Sequence, residues 1–240
     1  MTLEEMKQHK FVVSWSGGKD STATVILMHE YGIPIEKIVY VRMMYDETLP
    51  ATLPIMTDFV DETKKVFEDW GYTVEIVPSI KTAEELINQK FKRSKYAQRN
   101  GKSYGVMSFF RGMCRMTDVK QKTLASLNFK YEMIGICADE KERLERLTDT
   151  KQSILSLLGY TQKKAYDLCE KFNLLSPLYK LGIKRDGCWF CPNAGQKERQ
   201  LLKERYPHLV KKINQMIEMC DYDISKAVSR NNWVRDYYNG

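Results

Sequence analysis

The run Ser14-Trp15-Ser16-Gly17-Gly18-Lys19-Asp20-Ser21 carries the strongest chemical signal in the 240-residue sequence. A strand that stops in Ser-Gly-Gly and restarts as a helix leaves backbone N–H groups pointing into the gap, with the positive end of the helix dipole behind them. That arrangement binds anions. Glycines let the main chain approach phosphate oxygens without a Cβ in the way, the Ser16 and Ser21 hydroxyls can donate, and Lys19 supplies positive charge. Asp20 beside a phosphate fits a helix cap or a residue that helps hold Mg²⁺. The run is not a Walker A loop, because Val13 stands where that motif needs glycine and Asp20 follows Gly18-Lys19. Gly101-Lys102-Ser103 fails in the same way, with Tyr96 in the glycine position. An ordinary strand-to-helix turn capped by Asp20 is the alternative reading.

Cys188-x-x-Cys191 is a chelating pair. Two thiolates at this spacing can bind one metal ion, and the flanking Gly187 and Pro192 suit a knuckle rather than a helix interior. A reduced, buried pair without metal is the plainer alternative. Cys137 in an expected strand, Cys169 on an apolar helix face and Cys220 read as core residues. His9 and His29 have no partner in the sequence, and no nucleophile elbow supports a Ser-His-Asp apparatus.

The elements that must position these residues follow from periodicity. Phe11 to Trp15 reads as a strand, Ser21 to Tyr31 as a helix closed by Gly32 and Pro34, and Lys37 to Met43 as a second strand. Thr52 to Trp70 reads as a helix ended by Gly71, and Thr73 to Val77 as a third strand. This order argues for right-handed crossovers and a parallel sheet with helices on both faces, with ligands at the carboxyl ends of the strands. Ile80 to Tyr104 is polar and basic and reads as solvated helix and loop, a lid or phosphate-binding surface being the alternative. Thr117 to Leu127 reads as a helix, Tyr131 to Cys137 as a strand and Thr161 to Phe172 as a helix. Ser176 to Lys184 reads as a loop, and Gln196 to Cys220 as two helices broken at Pro207. The expected organisation is an α/β nucleotide-binding domain over 1–185 and a Cys-x-x-Cys loop with a helical extension over 186–240.

With 43% hydrophobic and 29% charged residues the chain can bury a real core, which excludes global disorder. A net charge of +7, from 38 Lys and Arg against 31 Asp and Glu, favours anionic ligands such as nucleotides or nucleic acid, or is simply a solvated basic surface. No run approaches the roughly 18 apolar residues of a membrane span, and the N-terminus is acidic and polar where a signal peptide is basic then apolar. These features predict a cytoplasmic protein with no membrane association.

Ser16-Gly17-Gly18-Lys19-Asp20-Ser21 resembles the PP-loop, S-G-G-x-D-S, of ATP pyrophosphatases with the adenine nucleotide alpha hydrolase fold. Later segments are similar to the phosphoadenosine phosphosulfate (PAPS) reductase family. They are Arg111-Gly112-Met113-Cys114-Arg115 followed by Lys120, Gly135-Ile136-Cys137-Ala138-Asp139-Glu140 with Arg143, Ser176-Pro177-Leu178-Tyr179, and Gly187-Cys188-Trp189-Phe190-Cys191-Pro192. Their order and spacing match from about residue 11 to 195.

The resemblance implies ATP with Mg²⁺ held by Ser14 and by Ser16 to Ser21, with Met43, Met44 and Gly135 also at the nucleotide. It further implies that ATP is split to AMP and pyrophosphate to activate a substrate for sulfur transfer, with nucleic acid a candidate acceptor and a sulfur-donor protein a candidate partner. Lys19, Asp20, Arg111, Lys120 and Arg143 are the implied catalytic residues, with Asp46 a candidate for ribose or metal. Cys114 joins Cys188 and Cys191 as metal ligand, either to a 4Fe-4S cluster with one open iron or to Zn²⁺ with His208 or water as fourth ligand. Met113 replaces a partner cysteine of the resembled pattern, and the family's Glu-Cys-Gly-Leu-His sequence does not occur here. That argues against thiol-dependent sulfonucleotide reduction. A sulfonucleotide reductase or sulfotransferase-like enzyme and a non-catalytic adenine-nucleotide sensor are the competing functions.

Overall fold

A computed structural model describes residues 1–88 and 115–218. They divide into two compact units, the first made of Met1–Arg42, Pro54–Pro78 and Thr123–Asp186. The second comprises Met43–Leu53 with the described parts of Ser79–Lys122 and Gly187–Gly240.

The first unit is built on a five-stranded, all-parallel sheet: β1 (Phe11–Trp15), β2 (Ile35–Arg42), β3 (Val74–Pro78), β4 (Glu132–Met133) and β5 (Lys151–Gln152), in the order β3-β2-β1-β4-β5. The chain winds outward from β1 to β3 and then returns to the far side of β1. The sheet therefore reverses its strand order between β1 and β4, and at such a point the loops leaving the carboxyl ends diverge and open a crevice. The Ser-Gly-Gly run leaves β1 at that place.

Phe11, Val12, Val13 and Trp15 are buried, as expected of a central strand covered on both faces. Helix Lys19–Glu30 buries Ser21 through Met28 without interruption, because it packs against β1, helix Gln162–Lys171 and helix Ile154–Leu157. Trp15 lies against Tyr40 and Phe67, and its indole N–H donates to the buried Thr22 hydroxyl at 3.0 Å. Helix Pro54–Asp69 presents Met56, Val60, Thr63 and Phe67, an i, i+4, i+7, i+11 stripe.

All five elements expected between Phe11 and Val77 agree with the structure to within a few residues. The strand expected over Tyr131 to Cys137 is shorter, because its pairing with β1 ends at Val13↔Met133. The Ile134 N–H still donates to the Gln152 carbonyl of β5, and at Gly135 the chain meets the start of helix Lys19–Glu30. Between Cys137 and Thr161 periodicity signals no element, yet helices Lys141–Leu144 and Ile154–Leu157 and strand β5 form there. Within the expected loop after Leu175, Ser176 caps a single helical turn, Pro177–Lys180.

In the second unit, Trp189 is buried against Tyr45 and Phe190, its backbone N–H donates to the Ala51 carbonyl, and its indole donates to the Pro50 carbonyl. The helices Gln196–Arg205 and Pro207–Glu218 meet at Pro207, as expected. Most of the basic stretch after Ile80 lies outside the described residues; its described beginning forms helix Ala83–Asn88. Among the described residues no helix is long and apolar enough to cross a membrane.

Candidate functional site

The loop after β1 is shaped by its glycines. Gly17 has φ +77°, a conformation that side-chain-bearing residues rarely adopt, and a Cβ there would lie 3.3 Å from Val60 Cγ2. Gly18 occupies the cap position of helix Lys19–Glu30 with extended backbone and makes no side-chain cap. The first N–H groups of that helix have no intrahelical partner, so without a capping side chain they stay available to an anion.

Ser21 closes the loop on itself. Its Oγ accepts the Ser16 backbone N–H at 3.0 Å, lies 3.0 Å from Ser16 Oγ, and donates to the Gly18 carbonyl at 3.1 Å. The Ser21 hydroxyl proton is thus committed to the loop backbone, and Ser16 is left as the more exposed hydroxyl. Ser14 points elsewhere, with its Oγ donating to Glu132 Oε1 at 2.5 Å.

Lys19 Nζ reaches both oxygens of Asp20, at 2.8 and 2.9 Å, and Gln162 Oε1 at 3.5 Å. The pair is shielded, with side-chain exposures of 13% and 25%, so its attraction is less screened than that of a surface ion pair. Burial works against the Lys19 ammonium, but its hydrogen bond to Asp20 and that carboxylate's charge outweigh it and hold the lysine above its ordinary pKa. Tyr179 faces the same lysine.

Two buried cysteines flank the pair. The Cys137 thiol donates to Asp20 Oδ1 at 3.1 Å, and the Cys169 thiol donates to the Lys19 carbonyl at 3.1 Å. Burial, reinforced by the Asp20 hydrogen bond and charge, pushes the Cys137 pKa far above the ordinary thiol range. Burial first and the Asp20 charge second push Cys169 up to about 12. Both are protonated donors at neutral pH. They are core residues, as expected, and Cys137 also touches the loop.

The segment after β4 is fitted tightly to the loop. A Cβ on Gly135 would fall 2.6 Å from both the Asp20 carbonyl carbon and the Ser21 nitrogen, so only glycine lets the two backbones meet. Glu140 accepts the Cys137 backbone N–H at 3.0 Å and forms an ion pair with Arg143. Asp20, Cys137 and Glu140 thereby place ligand-type atoms within 4.8 Å of one another, a group able to hold a metal ion.

The structure brings Ser16, Gly17, Gly18, Lys19, Asp20, Ser21 and Gly135 together. Arg143 sits on the turn Lys141–Leu144, half exposed, with Glu140 as its partner. Lys120 lies on helix Met116–Ser126. Arg111 and Cys114 lie outside the described residues, as does Cys220. In the second unit, Met43 is buried, and the Met44 backbone N–H donates to Ser79 Oγ. Asp46 Oδ1 accepts from the Thr48 and Leu49 backbone and the Thr48 hydroxyl. Burial opposes its ionisation, but these bonds and Lys212 hold it below the usual carboxylate range. Its carboxylate shapes its own turn. Gln162, Tyr179 and Glu140 were not singled out for the loop by residue type; for Tyr179 and Glu140 the available signal was their place in the motif segments.

Cys188 and Cys191 also belong to the second unit. The Cys191 N–H donates to the Cys188 carbonyl at 2.8 Å, Cys188 bridges Thr52, and both are partly exposed. The turn brings the two cysteines onto one knuckle, with Gly187 against it: a Cβ there would lie 3.9 Å from Cys191 Sγ. The Cys-x-x-Cys spacing is one found in thiolate metal sites. His208 is exposed on its helix.

A parallel sheet with a Ser-Gly-Gly loop at its strand-order reversal defines a nucleotide-type α/β protein. The family model for the phosphoadenosine phosphosulfate reductase domain matches residues 10–194, and the chain belongs to that family. A search of the curated proteins gave no match. Among solved structures it is similar to the U34-tRNA thiolase NcsA from Methanococcus maripaludis with its 4Fe-4S cluster, at 15% identity and TM-score 0.48, covering 99% of this chain and 76% of that one. It is also similar to a predicted subunit of tRNA methyltransferase from Methanocaldococcus jannaschii, at 16% identity and TM-score 0.38, covering 82% and 87%.

Proposed function

We propose that this chain is an ATP pyrophosphatase that adenylates an acceptor, releasing pyrophosphate, and prepares it for sulfur transfer. The observation that carries the reading is the loop Ser16 to Ser21, with Gly17 at φ +77° and an uncapped helix start at Gly18. Such a loop can take the β- and γ-phosphates on its backbone N–H groups, with Lys19 adding charge and Mg²⁺ offsetting the remaining negative charge. Glu140, which lies with Asp20 and Cys137 in a group able to hold a metal ion, suits the metal. Arg111, Lys120 and Arg143 are assigned to the charge that develops on the α-phosphate, or to an acidic acceptor. The basic composition supports a nucleic-acid acceptor.

Cys188 and Cys191, with Cys114, are proposed to hold a 4Fe-4S cluster, the alternative being Zn²⁺. When bound, a three-thiolate cluster supplies an open iron for the sulfur that is transferred.

The family match itself favours a second reading, cleavage of a sulfonucleotide. Anaerobic incubation with either ATP, sulfide and total RNA, or PAPS and thioredoxin, separates the two. Pyrophosphate and AMP from ATP support the proposal. Thioredoxin-dependent sulfite from PAPS without pyrophosphate from ATP overturns it.

A further inference from the structure

The thiol of Cys137 contacts the loop through a backbone that cannot readily shift. Gly135 lies in tight contact with the Asp20–Ser21 backbone. The next carbonyl, of Ile136, accepts from the buried Ser153 hydroxyl at 2.7 Å. The Cys137 N–H is held by Glu140 Oε2 at 3.0 Å, and the Ala138 N–H by the Tyr160 carbonyl at 2.8 Å. Four consecutive residues are thus fixed, and the fully buried thiol is aimed at Asp20 Oδ1, 3.1 Å away.

Among the described residues Asp20 has two hydrogen-bonding side-chain neighbours, Lys19 and Cys137, and of these only Lys19 has a flexible stem. If Lys19 turns to the phosphates of a nucleotide, the three-quarters-buried carboxylate loses its cation, and a buried acceptor left without a donor costs free energy. We infer that Cys137 is a positioning residue of the nucleotide site: its S–H holds the Asp20 carboxylate while Lys19 exchanges Asp20 for phosphate. The proton stays on sulfur throughout, and no bond is made or broken. This role rests on the nucleotide reading of the loop.

The test compares the wild type with Cys137→Ala, Cys137→Ser and Asp20→Asn, measuring ATP·Mg²⁺ affinity by calorimetry and stability by urea unfolding. Loss of a hydrogen bond to a charged group predicts about tenfold weaker ATP binding in Cys137→Ala. Cys137→Ser, which keeps a donor, should return affinity to within about threefold of wild type. In the Asp20→Asn background, where no carboxylate needs holding, the alanine effect should fall below about twofold. Equal ATP affinity in wild type and Cys137→Ala overturns the role, as does a loss that serine does not rescue. A second measurement needs no nucleotide: the infrared S–H stretch of Cys137 should lie at lower frequency in the wild type than in Asp20→Asn. An unshifted band refutes the thiol–carboxylate bond. A wild type that binds no ATP but shows the shifted band would refute both the nucleotide reading and the exchange, while leaving the contact itself established.

Discussion

Replacing Gly135 by alanine separates a site built by backbone contact from one built by side chains. The added Cβ would sit 2.6 Å from Asp20 C and Ser21 N and 2.9 Å from the Asp20 carbonyl oxygen, about 0.8 Å inside ordinary van der Waals contact. All three obstacles are main-chain atoms of the helix start, so no rotamer change can relieve the overlap. Either the segment after β4 or the loop must move by most of an ångström. On the β4 side, movement is resisted by the Ser153–Ile136 and Cys137–Glu140 hydrogen bonds. Overpacking of this kind costs about 1–3 kcal/mol, and each 1.4 kcal/mol that falls on the loop weakens ATP binding about tenfold. Urea unfolding and calorimetric titration with ATP·Mg²⁺ measure the two effects separately. A Gly135→Ala protein with wild-type stability and wild-type ATP affinity would refute the argument that this contact fixes the loop.

Gly17→Val should abolish ATP binding in a folded protein, because a β-branched residue at φ +77° is strained and its side chain meets Val60 and Met56; unchanged affinity would count against the loop. Metal analysis after anaerobic purification should show loss of metal in Cys114→Ala, Cys188→Ala and Cys191→Ala, and retention in Cys169→Ala and Cys220→Ala. Retention in either Cys188 or Cys191 variant contradicts the knuckle site. The raised Cys169 pKa predicts a contribution to stability that is complete below the unfolded thiol value of about 9 and is lost as pH rises towards about 12, since the unfolded chain ionises first. The urea midpoint should fall over that window, and less steeply in Cys169→Ser; an identical fall in both would refute the assignment.

The first half of the sheet is legible in the sequence because each strand and helix is long enough to show its period. β1 is apolar at four of its five residues, and helix Pro54–Asp69 repeats its buried residues over about three turns. β4 was readable within Tyr131 to Cys137, though not its early end, where the chain turns to meet the loop at Gly135. β5, with two paired residues, is too short to carry any period, and its existence follows from tertiary pairing. The loop's glycine-shaped turn into a helix start without a side-chain cap was readable from Ser-Gly-Gly alone. The partners of Lys19 and Asp20 were not. Cys137 is 117 residues from Asp20 and Gln162 is 143 from Lys19, and no local pattern encodes contacts that the fold creates. Residue type also does not reveal that the Ser21 hydroxyl donates to the Gly18 carbonyl or that the Asp46 carboxylate accepts from its own turn.

The most direct test of the account is a crystal structure of the protein with Mg²⁺ and an ATP analogue that cannot be cleaved between the α- and β-phosphates. The account predicts the β- and γ-phosphates on the backbone N–H groups of Ser16 to Ser21, at the carboxyl end of β1, with Lys19 turned from Asp20 towards them. Phosphates bound at any other place, with Lys19 still paired to Asp20 and the loop empty, would contradict it.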